Sequence, residues 1–247
     1  MKYWFKRLIN MCVGTASSSH SSNGIQSQRL SDSDTEYTKE IVHFGRLLHL
    51  KSFVAATDGN LSVRLDDQRI LASPSGVSKG SMQPEDPVMV DNNGVKLAGK
   101  RNVSSEIDMH LTIYRLRPDV RAVVHAHPCT ATGFASAGIP LDQPLCSEIL
   151  MTLGSVPLAP YGTTGTPELS QTLVPFIPNY NAILMANHGV VAYGATLSEA
   201  YHRMEAVEHF AKIALVTRHL GKQALLDNIQ VEKLLKARNR YLNQIGT

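Results

Sequence analysis

The chain has 247 residues, 43% of them hydrophobic and 18% charged, with a formal net charge of +3. That is enough apolar material for one large folded domain and too little charge for a disordered chain. No Lys/Arg block or basic-aromatic interleaving marks a nucleic-acid surface, and no stretch approaches membrane-spanning length, so the mild positive balance suits a small anionic metabolite.

In chain order, MKYWFKRLIN starts apolar but is interrupted by Lys6 and Arg7, and the Ser-rich run that follows has no periodicity. Residues 1–32 therefore read as a disordered extension, leaving 33–247 as one domain. DSDTEYTKEIVHFGRLLHL (32–50) places Ile41, Phe44, Leu47 and Leu48 at helical spacing behind an acidic start. GNLSVRL (59–65) alternates as a strand, and RILASPSG (69–76) reads as its hairpin partner running into a loop. PVMVDNNGVKLAGK (87–100) is a second hairpin turning at Asn93-Gly94. SSEIDMHLTIYRLRPD (104–119) is a helix capped by serine and stopped before Pro118.

RAVVHAHP (121–128) is a β-branched strand, followed by a helix over 128–138, and GSVPLAPYG and NAILMANHGVVAYG are extended. TLSEAYHRMEAVEHFAKIALVTRHLG (196–221) is the clearest helix, with a capping box at Thr196-x-x-Glu199 and closure at Gly221. Strands joined by both hairpins and helices predict an α/β domain with a mostly antiparallel or mixed sheet. Cys12, Cys129 and Cys146 lack CxxC spacing, which argues for a reducing, cytoplasmic setting; Cys129 reads as a small buried thiol.

Alternation on a strand points His125 and His127 the same way, and His188 follows another apolar run and precedes a glycine. Three imidazoles with the Glu106 carboxylate would make a four-ligand site for a divalent ion such as zinc. Spacing alone leaves structural histidines equally open. Glu106 lies in the first turn of its helix beside Ser104 and Ser105, an anion-friendly corner. Asn60 offers a side-chain amide, and the backbone amides of Ser75 and Gly76 can wrap a phosphate oxygen. Asp108 reads as a surface carboxylate, and His110 as a packed or solvated residue.

In order along the chain, GNLSVR, SPSG, SSEIDMH, VVHAHP, PYGTTGTPEL and NHGVVAYG together resemble the class II aldolase/adducin family, most closely its L-fuculose-phosphate aldolase-like branch. The resemblance spans about Tyr37 to Leu220. It implies a three-layer α/β/α domain with one Zn2+ per subunit, held by His125, His127, His188 and Glu106, with Glu106 also the acid/base. It further implies a phosphate site at Asn60, Ser75, Gly76, Ser104 and Ser105. Tyr161 would be a proton donor near a neighbouring subunit's metal, and Tyr241 the counterpart of a C-terminal catalytic tyrosine. The implied assembly is a homotetramer with interface active sites. The implied reaction is reversible cleavage of a ketose 1-phosphate to dihydroxyacetone phosphate and an aldehyde through an enediolate. Dehydratase, decarboxylase and epimerase outcomes belong to the same family, as does the non-catalytic scaffold of adducin. Asn187 stands where some aldolases carry a further histidine.

Overall fold

The computed structural model describes residues 32–245. Of the extension expected over residues 1–32, residues 1–31 lie outside the described residues, and Asp32 is already the first residue of helix α1. The elements in order are α1 (Asp32–Leu50), β1 (Asn60–Arg64), β2 (Ile70–Ala72), β3 (Val88–Val90), β4 (Lys96–Ala98), α2 (Ile107–Leu116), β5 (Ala122–Ala126), α3 (Cys129–Ser136), α4 (Ser147–Thr152), β6 (Leu158–Ala159), α5 (Pro167–Leu173), β7 (Ala182–Met185), β8 (Gly189–Gly194), α6 (Leu197–His219) and α7 (Asn228–Ile245). The eight strands form one sheet in the order β4-β3-β2-β1-β5-β8-β7-β6. Among the described residues only β6 and β7 pair in parallel; every other pairing is antiparallel.

Period-two alternation sorts the buried side chains into two cores, one on each face of the sheet. Leu61, Val63, Val124, Ala126, Leu184 and Val190 face the layer of α1, α3 and α6. Val123, Ile183, Val191 and Tyr193 face the layer of α2 and α5. The protein is thus a three-layer α/β/α domain. On that second face β1 and β5 carry polar residues in the core, namely Asn60, Ser62 and His125, all buried. Burial of unpartnered polar groups is costly, so this polar line has to be satisfied from α2.

Local chemistry accounts for most element ends. Thr196 caps α6 by accepting the Glu199 N–H at 3.1 Å, while the Glu199 carboxylate reaches back to the Ala195 N–H at 2.7 Å. Gly221 closes the helix at φ +76°. In the β3–β4 hairpin, Asp91 Oδ1 accepts the N–H groups of Asn93 and Val95 around Gly94 at φ +80°.

Three expectations need correction. Helix α2 starts at Ile107 rather than Ser104, with Glu106 in the capping position and no side-chain cap. The Ser104 hydroxyl accepts the Glu106 N–H, at 3.3 Å, because Ser105 and Glu106 form a turn that delays the helix. Cys129 is exposed rather than buried, since it sits on the outer side of the first turn of α3. The chain around Met185–Gly189 is a tight hairpin between β7 and β8 that places His188 in its turn.

Candidate metal centre and anion cleft

The three histidines arrive from adjacent strands. His125 is on β5, His127 is one residue past its end, and His188 is in the turn entering β8, which pairs with β5. Asn187 has φ +57°, a conformation that asparagine tolerates better than most residues, and this turns His188 back toward β5. A side chain at Gly189 would run into the His127 ring, so only glycine lets the two approach.

His125 Nδ1 lies 2.9 Å from the Val190 carbonyl. A carbonyl only accepts, so Nδ1 carries a proton and Nε2 is the nitrogen that faces the centre. His127 Nε2 is 3.0 Å from His125 Nε2. Glu106 Oε2 is 3.3 Å from His125 Nε2, and Glu106 Oε1 is 3.1 Å from His188 Nε2. Behind His127, Asp58 Oδ2 stands 3.5 Å from Nδ1, the usual place for a carboxylate that steadies a ligating imidazole.

These groups fit a divalent cation. A tetrahedron with bonds of about 2.1 Å has donor–donor edges of about 3.4 Å, close to the 3.0, 3.1 and 3.3 Å between neighbouring donors, and the three imidazole donors all lie within 4.8 Å of one another. Two imidazole lone pairs facing each other repel unless a proton or a cation lies between them. Glu106 Oε1 is buried without a hydrogen-bond partner, an orphan acceptor that a cation would satisfy. Burial by itself would raise the Glu106 carboxyl; positive charge and hydrogen-bond donation from His125 and His188 outweigh it and hold it well below the usual carboxylate range, a role that a bound cation would take over. Burial, reinforced by the other two histidines, pulls His127 down to about 4, which keeps it a neutral donor.

The anion-holding residues expected from sequence meet beside this cluster. Asn60, Ser75, Gly76, Ser104 and Ser105 line one cleft of about 240 Å³ together with Glu106, His127 and His188. The two loops are stitched together by a Pro74–Val103 bridge and by the Ser75 N–H donating to the Asn102 carbonyl at 2.9 Å. That bond engages the Ser75 amide, so the amide expected to wrap an anion there is already used. Gly76, at φ +69°, has open space where a side chain would be. Tyr161 is 55% exposed and does not line the cleft within the single chain. The Tyr241 side chain lies outside the described residues. Asp108 is a surface carboxylate paired with Arg115 at 3.8 Å, as expected.

Sequence reading missed the groups behind the cleft. Asn60 is more than an anion donor: its amide donates to Glu106 Oε2 at 2.8 Å, and its carbonyl contacts His110 Nε2 at 2.5 Å. His110 Nδ1 is 2.7 Å from Ser62 Oγ, which is 2.7 Å from Tyr114 OH. The signal was present as Glu106, His110 and Tyr114, four apart on one helix face, opposite Asn60 and Ser62, two apart on a strand. Lys79 is also buried, its Nζ donating to the carbonyls of Thr57 at 3.1 Å and Val77 at 2.9 Å. It thus ties the two loops that flank the cleft.

A model of the Class II Aldolase and Adducin N-terminal domain matches residues 39–215. The chain belongs to the class II aldolase/adducin family. Its relatives place it among the enzymes of that family. It is 35% identical over 208 residues to a 5-deoxy-D-ribulose 1-phosphate aldolase of Bacillus thuringiensis, covering 83% of this chain and 97% of that protein. It is 32% identical over 184 residues to a 3-oxo-tetronate 4-phosphate decarboxylase of Escherichia coli K12, covering 72% and 85%. A solved L-fuculose 1-phosphate aldolase superposes with a TM-score of 0.76 at 32% identity, covering 82% of this class II aldolase chain and 95% of the other.

Proposed function

We propose that this protein is a zinc-dependent aldolase that reversibly cleaves a ketose 1-phosphate to dihydroxyacetone phosphate and an aldehyde. The observation that carries the reading is the convergence of His125, His127, His188 and Glu106 at the edge of a cleft lined by small hydroxyl and glycine residues. An adducin-like scaffold has no need of such a set. The three imidazoles and Glu106 would hold the ion, which supplies Lewis-acid polarisation of the substrate carbonyl.

The chain's own residues do the rest. Ser104, Ser105, Ser75, Gly76 and Asn60 bind the phosphate and so position the reacting carbons without touching them. Glu106 is ionised, with Oε2 tied back by Asn60 and Oε1 unpaired. In condensation Oε1 takes a proton from the carbon beside the ketone, and in cleavage it returns that proton. The hydroxyl of the departing aldehyde carbon loses its proton to a second group. We assign that group to Tyr161 of a neighbouring copy in a homotetramer, in keeping with its exposure. The domain spans residues 33–247 and works in a reducing, cytoplasmic setting.

The decarboxylase relative favours one competing outcome, in which the same site breaks a bond to a carboxylate. Both are separated by incubating metal-analysed protein with phosphorylated ketoses and with phosphorylated 3-oxo acids. The expected result is about one zinc per chain and dihydroxyacetone phosphate released from a ketose 1-phosphate. Carbon dioxide from the oxo acids, with no triose phosphate from any ketose, would replace the aldolase with the decarboxylase.

A further inference from the structure

We propose that Tyr114, Ser62, His110 and Asn60 form a one-way chain of hydrogen-bond donors that orients Glu106, tying back Oε2 and presenting Oε1 to the cleft. The proposal rests on the reading of Glu106 as the group that moves the substrate's proton. These four are positioning residues: none but Asn60 reaches the cleft.

Each link is forced by the one before it. An ionised carboxylate only accepts, so the Asn60 group 2.8 Å from Glu106 Oε2 is the amide nitrogen. That turns the Asn60 oxygen toward His110, 2.5 Å from Nε2. An amide oxygen also only accepts, so Nε2 carries the His110 proton. His110 is 1% exposed and its burial, with His125 nearby, pulls it down to about 3, so the ring is neutral. Its Nδ1 is then a bare lone pair, and the Ser62 hydroxyl at 2.7 Å donates to it. The Ser62 oxygen is left as acceptor for Tyr114 OH at 2.7 Å. Burial raises the Tyr114 phenol, which keeps it a donor.

The direction matters because two members are symmetric without it. A neutral imidazole presents either nitrogen as the donor, and an amide fits its pocket equally well flipped. Flipped, Asn60 would set its carbonyl against the Glu106 carboxylate and push it off its position. The hydroxyls of Ser62 and Tyr114 break this tie from the far end of the chain, deep between β1 and α2. Arg64 closes that end, its guanidinium 4.8 Å above the Tyr114 ring.

The test reads the tautomer directly. In protein with 15N-labelled histidine, long-range proton–nitrogen correlations report which nitrogen of His110 bears hydrogen, with or without zinc. The wild type should show the Nε2–H form. Ser62→Ala should give a mixture of tautomers, with kcat lowered roughly tenfold while KM and zinc content are unchanged. Ser62→Thr, which keeps the hydroxyl, should restore both readouts. Tyr114→Phe should cost less, and should cost nothing further in the Ser62→Ala background. An Nδ1–H tautomer in the wild type overturns the chain, as does Ser62→Ala with tautomer and kcat both unchanged. Wild-type protein inactive on every phosphorylated ketose would refute the aldolase reading instead, and the tautomer of His110 would still decide this proposal.

Discussion

A Cβ at Gly59 would lie 2.9 Å from the His125 carbonyl, and one at Gly189 would meet the His127 ring. Gly189 thus makes room for the His127 imidazole, whereas Gly59, at φ +71°, makes room for the β5 backbone and the Val54 side chain. At this scale the meeting of the three histidines was readable, because His-x-His alternation puts His125 and His127 on one side of a strand and His188 ends another apolar run. The second duty of Asn60 was not, since its partners come from a helix nearly fifty positions away. The phosphate assignment makes a prediction of its own. Replacing Ser104 and Ser105 together by alanine removes hydroxyls that face the cleft and leaves the imidazoles intact. KM for a phosphorylated ketose should rise tenfold or more, on the scale of about 1.4 kcal/mol or greater in binding, while KM for the unphosphorylated sugar barely moves. Steady-state kinetics on the matched pair checks this, and equal changes for both sugars would remove the phosphate pocket.

Helix α3 starts two residues past His127, with Pro128 as its N-cap and no side-chain cap of its own. Its first amides are served from another element: Glu208 of α6, buried, accepts the N–H of Ala131 at 2.9 Å and of Thr130 at 3.3 Å. A carboxylate at a helix N-terminus is favoured by the helix dipole and by the orphan amides there. Glu208→Gln keeps the shape and one acceptor but loses the charge. It should destabilise the protein by roughly 1–2 kcal/mol, read by urea denaturation, with zinc content preserved. No change in stability would show that α3 needs no charge at its start. The long helices α1 and α6 and the hairpins were foreseeable from period and turn chemistry. Helices α4 and α5 were not, because six and seven residues carry too little periodicity. Helix α7 does carry apolar residues at helical spacing, Val231, Leu234 and Leu235 among them, and the sequence reading left that signal unused.

At the scale of the whole molecule, Lys79 is a buried cation in the β2–β3 connection, tied to two carbonyls. Burial lowers it to about 8 from 10.5, against the opposing pull of Asp58. Below pH 8 the lysine is charged in both folded and unfolded chains, and the full cost of burying that charge is present. Between about 8 and 10.5 the unfolded chain holds the proton more tightly, so stability from this group rises with pH, by up to about 3 kcal/mol. Relative to Lys79→Met, the wild type should gain stability on going from pH 7.5 to pH 9.5 in urea titrations. Parallel curves for the two proteins would refute a charged, buried Lys79.

The pairing of β5 with β8 has one more effect. His125 sits opposite Val191, and the carbonyl that fixes its tautomer belongs to the next residue back, Val190. Sliding β8 by one position along β5 would carry the Val190 carbonyl away from His125 Nδ1 and break that bond. Tight uptake of an ion by refolded protein therefore doubles as a readout of correct alignment at the centre of the sheet, available without any substrate.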